Sequence, residues 1–168
     1  MADSAALGGV LTALSLIFLY LASYAPSMKI TMFFISGLLI AVSLIEKGIR
    51  TAWLVYVTSS ILSLLVLSNI AIILPYICFF GLYPLVKYYI EKNNRNKLET
   101  IMKLLFCNLS LSVVYLIWIK LLGQKIIFPI SMIYILILIQ PVFLFYDYIF
   151  TRVVFYYTDK VAAFRRKD

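Results

Sequence analysis

The chain has 168 residues, of which 64% are hydrophobic and only 13% charged, with a mean hydropathy of +1.03. A soluble domain of this length carries roughly twice that share of charge and needs more polar surface than this chain has, so the composition excludes a soluble globular protein and leaves no room for a separate soluble domain. The formal net charge of +8 would suggest nucleic acid in a soluble protein; here the basic residues sit beside apolar runs, where anionic headgroups account for them, and no nucleic-acid binding is expected.

A bilayer core about 30 Å thick takes roughly 20 helical residues, fewer where flanking side chains snorkel. Six apolar runs meet that need. The first covers residues 5–24 and is closed by Ala25-Pro26-Ser27; lacking a basic stretch ahead of it, it reads as a retained helix and not a cleaved signal peptide. The second, 30–45, is short, and Glu46-Lys47-Gly48-Ile49-Arg50 makes a tight turn into the third, 51–67. Ser68-Asn69 is a minimal turn before the fourth run, 70–89. The only long polar stretch, 91–99, then divides the chain into four spans and two. The fifth run is 101–119, Lys120 to Lys125 with Gly123 forms a turn, and the sixth run is 126–150. Beyond Phe150, basic and aromatic residues alternate through 151–168, which predicts a helical extension at the membrane interface. The expected fold is an all-α integral membrane bundle of six transmembrane helices, one domain over 1–168.

The lysines and arginines set an orientation. Twelve of the fifteen (Lys47, Arg50, Lys87, Lys92, Arg95, Lys97, Lys103, Arg152, Lys160, Arg165, Arg166 and Lys167) fall on one side of the implied membrane, against Lys29, Lys120 and Lys125 on the other. Cytoplasmic loops retain positive charge, so both termini are expected inside, at a cell membrane crossed several times.

Chemistry is sparse. The chain has no histidine, which removes the usual general base near neutral pH and the commonest zinc ligand. Its seven acidic residues show no paired-carboxylate spacing, and no Gly-rich phosphate loop is present. No enzyme activity, metal or cofactor is expected. Cys78 and Cys107 fall inside apolar runs and read as small packing residues.

Three sets of residues stand out. Ala5, Gly9 and Ala13 recur at four-residue spacing on the first span, where small side chains let helix backbones approach closely; they pack against another span of the same chain or form a docking face for a partner membrane protein. Lys103 and Asp147 lie at similar depth near the inner ends of the fifth and sixth spans, and pairing or a shared polar network is expected, a structural tie ahead of a proton relay. Asn108 is placed to hydrogen-bond across helices, and Gln140 sits mid-span beside Pro141, where a missing N–H frees a carbonyl and predicts a kink. On the outer side Tyr20, Tyr24, Lys29, Asn69, Tyr76, Trp118 and Tyr134 gather aromatic rings and donors. With Gln140 they form a candidate site for a small solute, or else the aromatic belt of any membrane protein.

Six short helices, both termini inside, about 170 residues and the small face of Ala5, Gly9 and Ala13 resemble the substrate-binding S components of energy-coupling factor transporters. That resemblance implies a docking face at Ala5, Gly9 and Ala13 for a transmembrane coupling subunit, and an outward-opening solute pocket covered by residues 25–30. It also implies a bacterial plasma membrane. The same plan resembles small MreD-like proteins of the cell-shape machinery, which implies a scaffold that binds partners and not solutes.

Overall fold

The computed structural model describes residues 2–67, 70–93, 98–122 and 132–165. Every element among them is helical: α1 (Ala2–Tyr24), a 3-10 turn (Pro26–Met28), α2 (Lys29–Lys47), α3 (Ile49–Val66), α4 (Ile70–Pro75), a π-helical turn (Tyr76–Phe80), α5 (Tyr83–Asn93), α6 (Leu98–Leu122) and α7 (Met132–Arg165). Six helical stretches are long and apolar enough to cross a bilayer: Ser4–Tyr24, Lys29–Lys47, Ile49–Val66, Ile73–Lys92, Leu98–Lys120 and Ile137–Lys160. This is the make-up of a multi-pass membrane protein. The chain falls into two compact units, Met1–Gly123 and Gln124–Asp168, each described by itself.

In the first unit α1, α2 and α3 pack on one another, α2 also meets the π turn and α5, and α6 lies against the π turn and α5. Two short joints set the first three helices. Ala25 and Pro26 end α1, with Ala25 N–H bonded to Leu21 O at 3.0 Å and Met28 N–H to Ala25 O at 3.1 Å. Gly48 alone separates α2 from α3; it caps α2 through Leu44 O at 3.0 Å with φ +83°, a left-handed conformation that glycine adopts without penalty.

The interior is small and polar where a soluble core would be large and apolar. Ser15, Ser36, Ser43, Ser59, Ser60 and Ser63 are buried between helices, whereas Leu65 is 77% exposed, Ile30 72% and Leu54 67%. In hydrocarbon, large apolar side chains lose nothing by facing outward, and close approach of backbones through small residues holds helices together. Buried apolar groups fill the remainder, with Leu19, Ile40, Val55, Ile73, Tyr76 and Leu85 at its centre.

The fourth span departs from the single run expected over 70–89: it is broken. Pro75 closes α4, the π turn follows, and α5 starts only at Tyr83, immediately before Pro84. Each proline lacks an N–H and crowds the carbonyl four residues earlier, so two of them nine apart interrupt the helix ladder on both sides of the turn. Non-helical backbone at membrane depth survives only where protein covers it. Here α2 and α6 pack on the turn, and Tyr76 is fully buried.

In the second unit α7 runs unbroken for 34 residues with Pro141 inside it. The sequence expectation ended the sixth span at Phe150 with a helical extension after it, and one helix runs through both. The helix continues to Arg165 because no glycine or proline follows Pro141, and Val153 to Tyr157 carry the apolar pattern onward. The stretch expected to open this span, 126–131, lies outside the described residues.

Candidate functional site

Three features of the first unit combine chemistry with position: an open groove, a hydroxyl layer in the bundle interior and a buried ionic cluster. The groove runs between α1 and α3 and has a volume of about 400 Å³. Small residues shape it. Ala5, Gly9 and Ala13 are all exposed along it, and a Cβ added at Gly9 would meet nothing within 4 Å. Gly8 beside it behaves otherwise, since its added Cβ would touch Thr51 Cγ2 at 3.6 Å and Val55 Cγ2 at 3.7 Å. The two adjacent glycines thus divide the work: Gly8 seats α1 on α3, and Gly9 faces outward. The groove's threonines turn their hydroxyls inward to their own helices, Thr12 to Gly8 O at 2.8 Å and Thr58 to Leu54 O at 2.7 Å. Its surface is therefore apolar despite its composition.

The hydroxyl layer surrounds the broken fourth span. Tyr76 OH and Ser59 Oγ are 2.7 Å apart, Ser59 donates to Tyr56 O at 3.0 Å, and Tyr56 OH donates to Ile77 O at 2.9 Å. Since Ser59 spends its proton on Tyr56 O, Tyr76 is the donor to Ser59. Ser36, fully buried, faces the Tyr76 side chain; its Oγ, like those of Ser15 and Ser60, has no hydrogen-bond partner among the described residues. Ser15, Ser36 and Ser59 lie about nine, seven and seven residues from the ends of α1, α2 and α3 that share one side of the bundle. At about 1.5 Å per residue they occupy one depth, roughly 10–14 Å in.

Two glycines let the broken segment come close. A Cβ on Gly37 would sit 2.6 Å from Phe80 O, so α2 touches the fourth span backbone to backbone. A Cβ on Gly81 would sit 3.0 Å from the Tyr56 ring.

The ionic cluster ties α5 to α6. Lys87 and Lys103 are 4% and 5% exposed. Glu91 Oε1 accepts from Lys87 Nζ at 2.5 Å and from Lys103 Nζ at 2.8 Å, and Glu99 Oε1 accepts from Lys103 Nζ at 2.6 Å. Two cations thus face two carboxylates, which is how buried lysines avoid a prohibitive desolvation cost.

The remaining expected site residues are scattered. The rings of Tyr20 and Tyr24 meet at 4.9 Å, tilted by 52°, with their hydroxyls 3.1 Å apart, on an outward face where they are 46% and 69% exposed. Lys29 opens α2. Tyr76 belongs to the interior layer and not to that face. Trp118, on α6, has its Nε1–H buried with no hydrogen-bond partner among the described residues. Asn69 lies outside the described residues, as does the side chain of Tyr134. Asn108 bonds within its own helix, to Leu104 O at 2.9 Å. Gln140 and Asp147 are on α7 in the second unit, where Thr151 Oγ1 donates to Asp147 O at 2.7 Å. The expected Lys103–Asp147 link runs between the two units.

Sequence reasoning passed over the Tyr56–Ile77 bond, the Ser59–Tyr76 pair and Glu91. The spacing of Pro75, Gly81 and Pro84 signals an irregular fourth span but not which side chains meet it. Comparison with protein-family models, with curated proteins and with solved structures gives no match to this chain.

Proposed function

We propose that the chain is a membrane subunit that acts through a second membrane protein, one transmembrane helix of which seats in the groove between α1 and α3. The observation that carries this reading is the open space over Gly9, in a groove lined by Ala5, Gly9 and Ala13. The groove lies along stretches that themselves have the length and hydropathy of membrane spans, so its occupant is in the bilayer. Exposed glycine offers a helix close backbone contact, whereas a mobile lipid tail gains as much from a leucine surface. In the proposed orientation both termini are cytoplasmic, from the twelve basic residues on one side. The chain carries no nucleotide-binding motif, so work done by it draws energy from the partner.

A photo-cross-linking amino acid at Leu16 or Leu62, large side chains that already line the groove, compared with one at the exposed Leu64, two residues and about 200° round α3 from Leu62, tests the proposal. One protein adduct of constant mass at both groove positions, missing at Leu64 and abolished by Gly9→Leu, supports it. Lipid adducts alone, or the same adducts at Leu64, would sink it.

A second reading extends the first: the bundle captures a small solute, as S components of energy-coupling factor transporters do, in a bacterial plasma membrane. It is favoured by the hydroxyl layer at Ser36, Ser59 and Tyr76, because discontinuous helices with polar groups at membrane depth are where transport proteins bind their cargo. The solute is then neutral and able to both donate and accept hydrogen bonds. The layer offers the unpartnered hydroxyls of Ser36 and Ser60 and no charge to neutralise an ion. Mass spectrometry of small molecules retained through mild-detergent purification tests it, with Tyr76→Phe expected to lose what the parent chain retains.

A further inference from the structure

The π turn of the fourth span poses a question of hydrogen-bond accounting. In an uninterrupted α-helix the N–H of Gly81 bonds to the carbonyl four residues back, Ile77 O. In this chain Gly81 N–H bonds to Tyr76 O at 2.8 Å, five residues back, and Ile77 O accepts the phenol of Tyr56 from α3 at 2.9 Å. Tyr56 thus satisfies the carbonyl that the π turn leaves without its α-helical N–H. Its ring lies against Gly81.

We propose that the fourth span is a two-state element, in which the Tyr56 phenol stabilises the π form by satisfying Ile77 O, the carbonyl that Gly81 N–H satisfies in the α form. In the state described here Tyr56 holds the carbonyl and the turn is π-helical. In the alternative state Tyr56 releases it, Gly81 N–H takes it, and the turn closes as α-helix. A π turn accommodates one residue more than an α turn, and each residue of α-helix turns the chain by about 100°. Closure therefore rotates α5 by about that amount relative to α4.

The rotation has a readable consequence at the far end of α5. Glu91 receives Lys103 of α6, and a turn of about 100° carries Glu91 off that face and breaks the bridge. The ionic cluster accordingly favours the π state, and the Tyr56 bond and the Glu91–Lys103 bridge act together on one equilibrium. Gly37 lets Phe80 O come up against the backbone of α2, and the ring contacts Phe33–Phe80, Phe79–Phe106 and Tyr83–Phe106 add to what holds the π state.

The test uses the full chain in lipid nanodiscs, with nitroxide labels on a keto amino acid introduced at the exposed positions Arg50 and Tyr89; the native cysteines stay in place. Electron–electron double resonance of the parent chain should give one main distance. Tyr56→Phe keeps the ring and deletes the donor, and should move the main peak by about 8 Å, the chord of a 100° turn at a helix radius of 5–6 Å. An unmoved peak in a folded Tyr56→Phe protein overturns the proposal. Deletion of Cys78 provides the arm that decides if Tyr56→Phe does not fold. With one residue fewer, the turn closes as α-helix while both halves keep their present orientation. The deletion should fold and retain the parent distance, with or without Tyr56→Phe. A deletion that fails to fold, or that shifts the peak, also overturns it.

Discussion

Gly37 and Gly9 both sit among small residues on transmembrane helices, and they do opposite things. At Gly37 the space of the missing side chain is taken by the Phe80 carbonyl of the broken span. At Gly9 nothing takes it. Where a glycine's space is filled from within, the fold depends on it; where it stays open, the fold is indifferent and any requirement comes from outside the chain. Composition alone does not separate the two cases.

Substitutions sharpen this contrast. Gly37→Ala should have the largest effect. A methyl 2.6 Å from a backbone oxygen forces α2 off the fourth span, at about 3 kcal/mol of overpacking against about 1 kcal/mol gained in helix propensity. Thermal unfolding in mild detergent should show a clear loss, and an unchanged midpoint would mean that the two backbones do not meet. Lys103→Met comes next, at about 2 kcal/mol. It strips Glu91 and Glu99 of a buried partner, but these carboxylates are 39% and 30% exposed and recover part of the loss in water, so the effect falls below the usual cost of breaking a buried pair. Denaturation at two salt concentrations checks this, the difference from the parent chain shrinking as salt rises.

Ser59→Ala should cost about 1 kcal/mol, since it leaves the Tyr76 hydroxyl without its acceptor; with Tyr76→Phe added, the double variant should be closer to the parent than the sum of the singles. A double-mutant cycle reads this directly. Gly9→Ala should be smallest and of opposite sign, a gain of about 0.5–1 kcal/mol from helix propensity alone. A destabilised Gly9→Ala protein would mean that the groove is closed by the chain itself, and the contrast with Gly37 would collapse.

Much of the fold was legible because hydrocarbon imposes a simple demand. Backbone groups must be satisfied within each crossing, so apolar runs of span length declare themselves as helices, and Gly48 within the charged stretch Glu46 to Arg50 declares a turn. The interior of the fourth span was harder. Pro75 and Pro84 were visible, but that the freed Ile77 carbonyl would find Tyr56, 21 residues earlier, depends on how α3 lies against it. Lys103 was recognised as needing a counter-charge; Glu91 and Glu99, in the neighbouring polar stretch, read as solvated loop residues. The small residues of α1 were recognised as a set, yet the different roles of Gly8 and Gly9 follow from their angular position relative to Thr51 and Val55, which no spacing rule reports.

The length of α7 has a mechanical corollary. Its 34 residues make about 51 Å of helix, and 30 Å of hydrocarbon swallows only about 39 Å of it at a steep 40° tilt. At least about 12 Å must therefore stand clear of the lipid tails. Charge places that overhang at the C-terminal half, where Arg152 lies 5.1 Å from the ring of Tyr148 and Lys160 lies 5.0 Å from the ring of Tyr156. The C-terminal part of α7 is thus a stiff helical arm, longer than a hydrocarbon core can enclose.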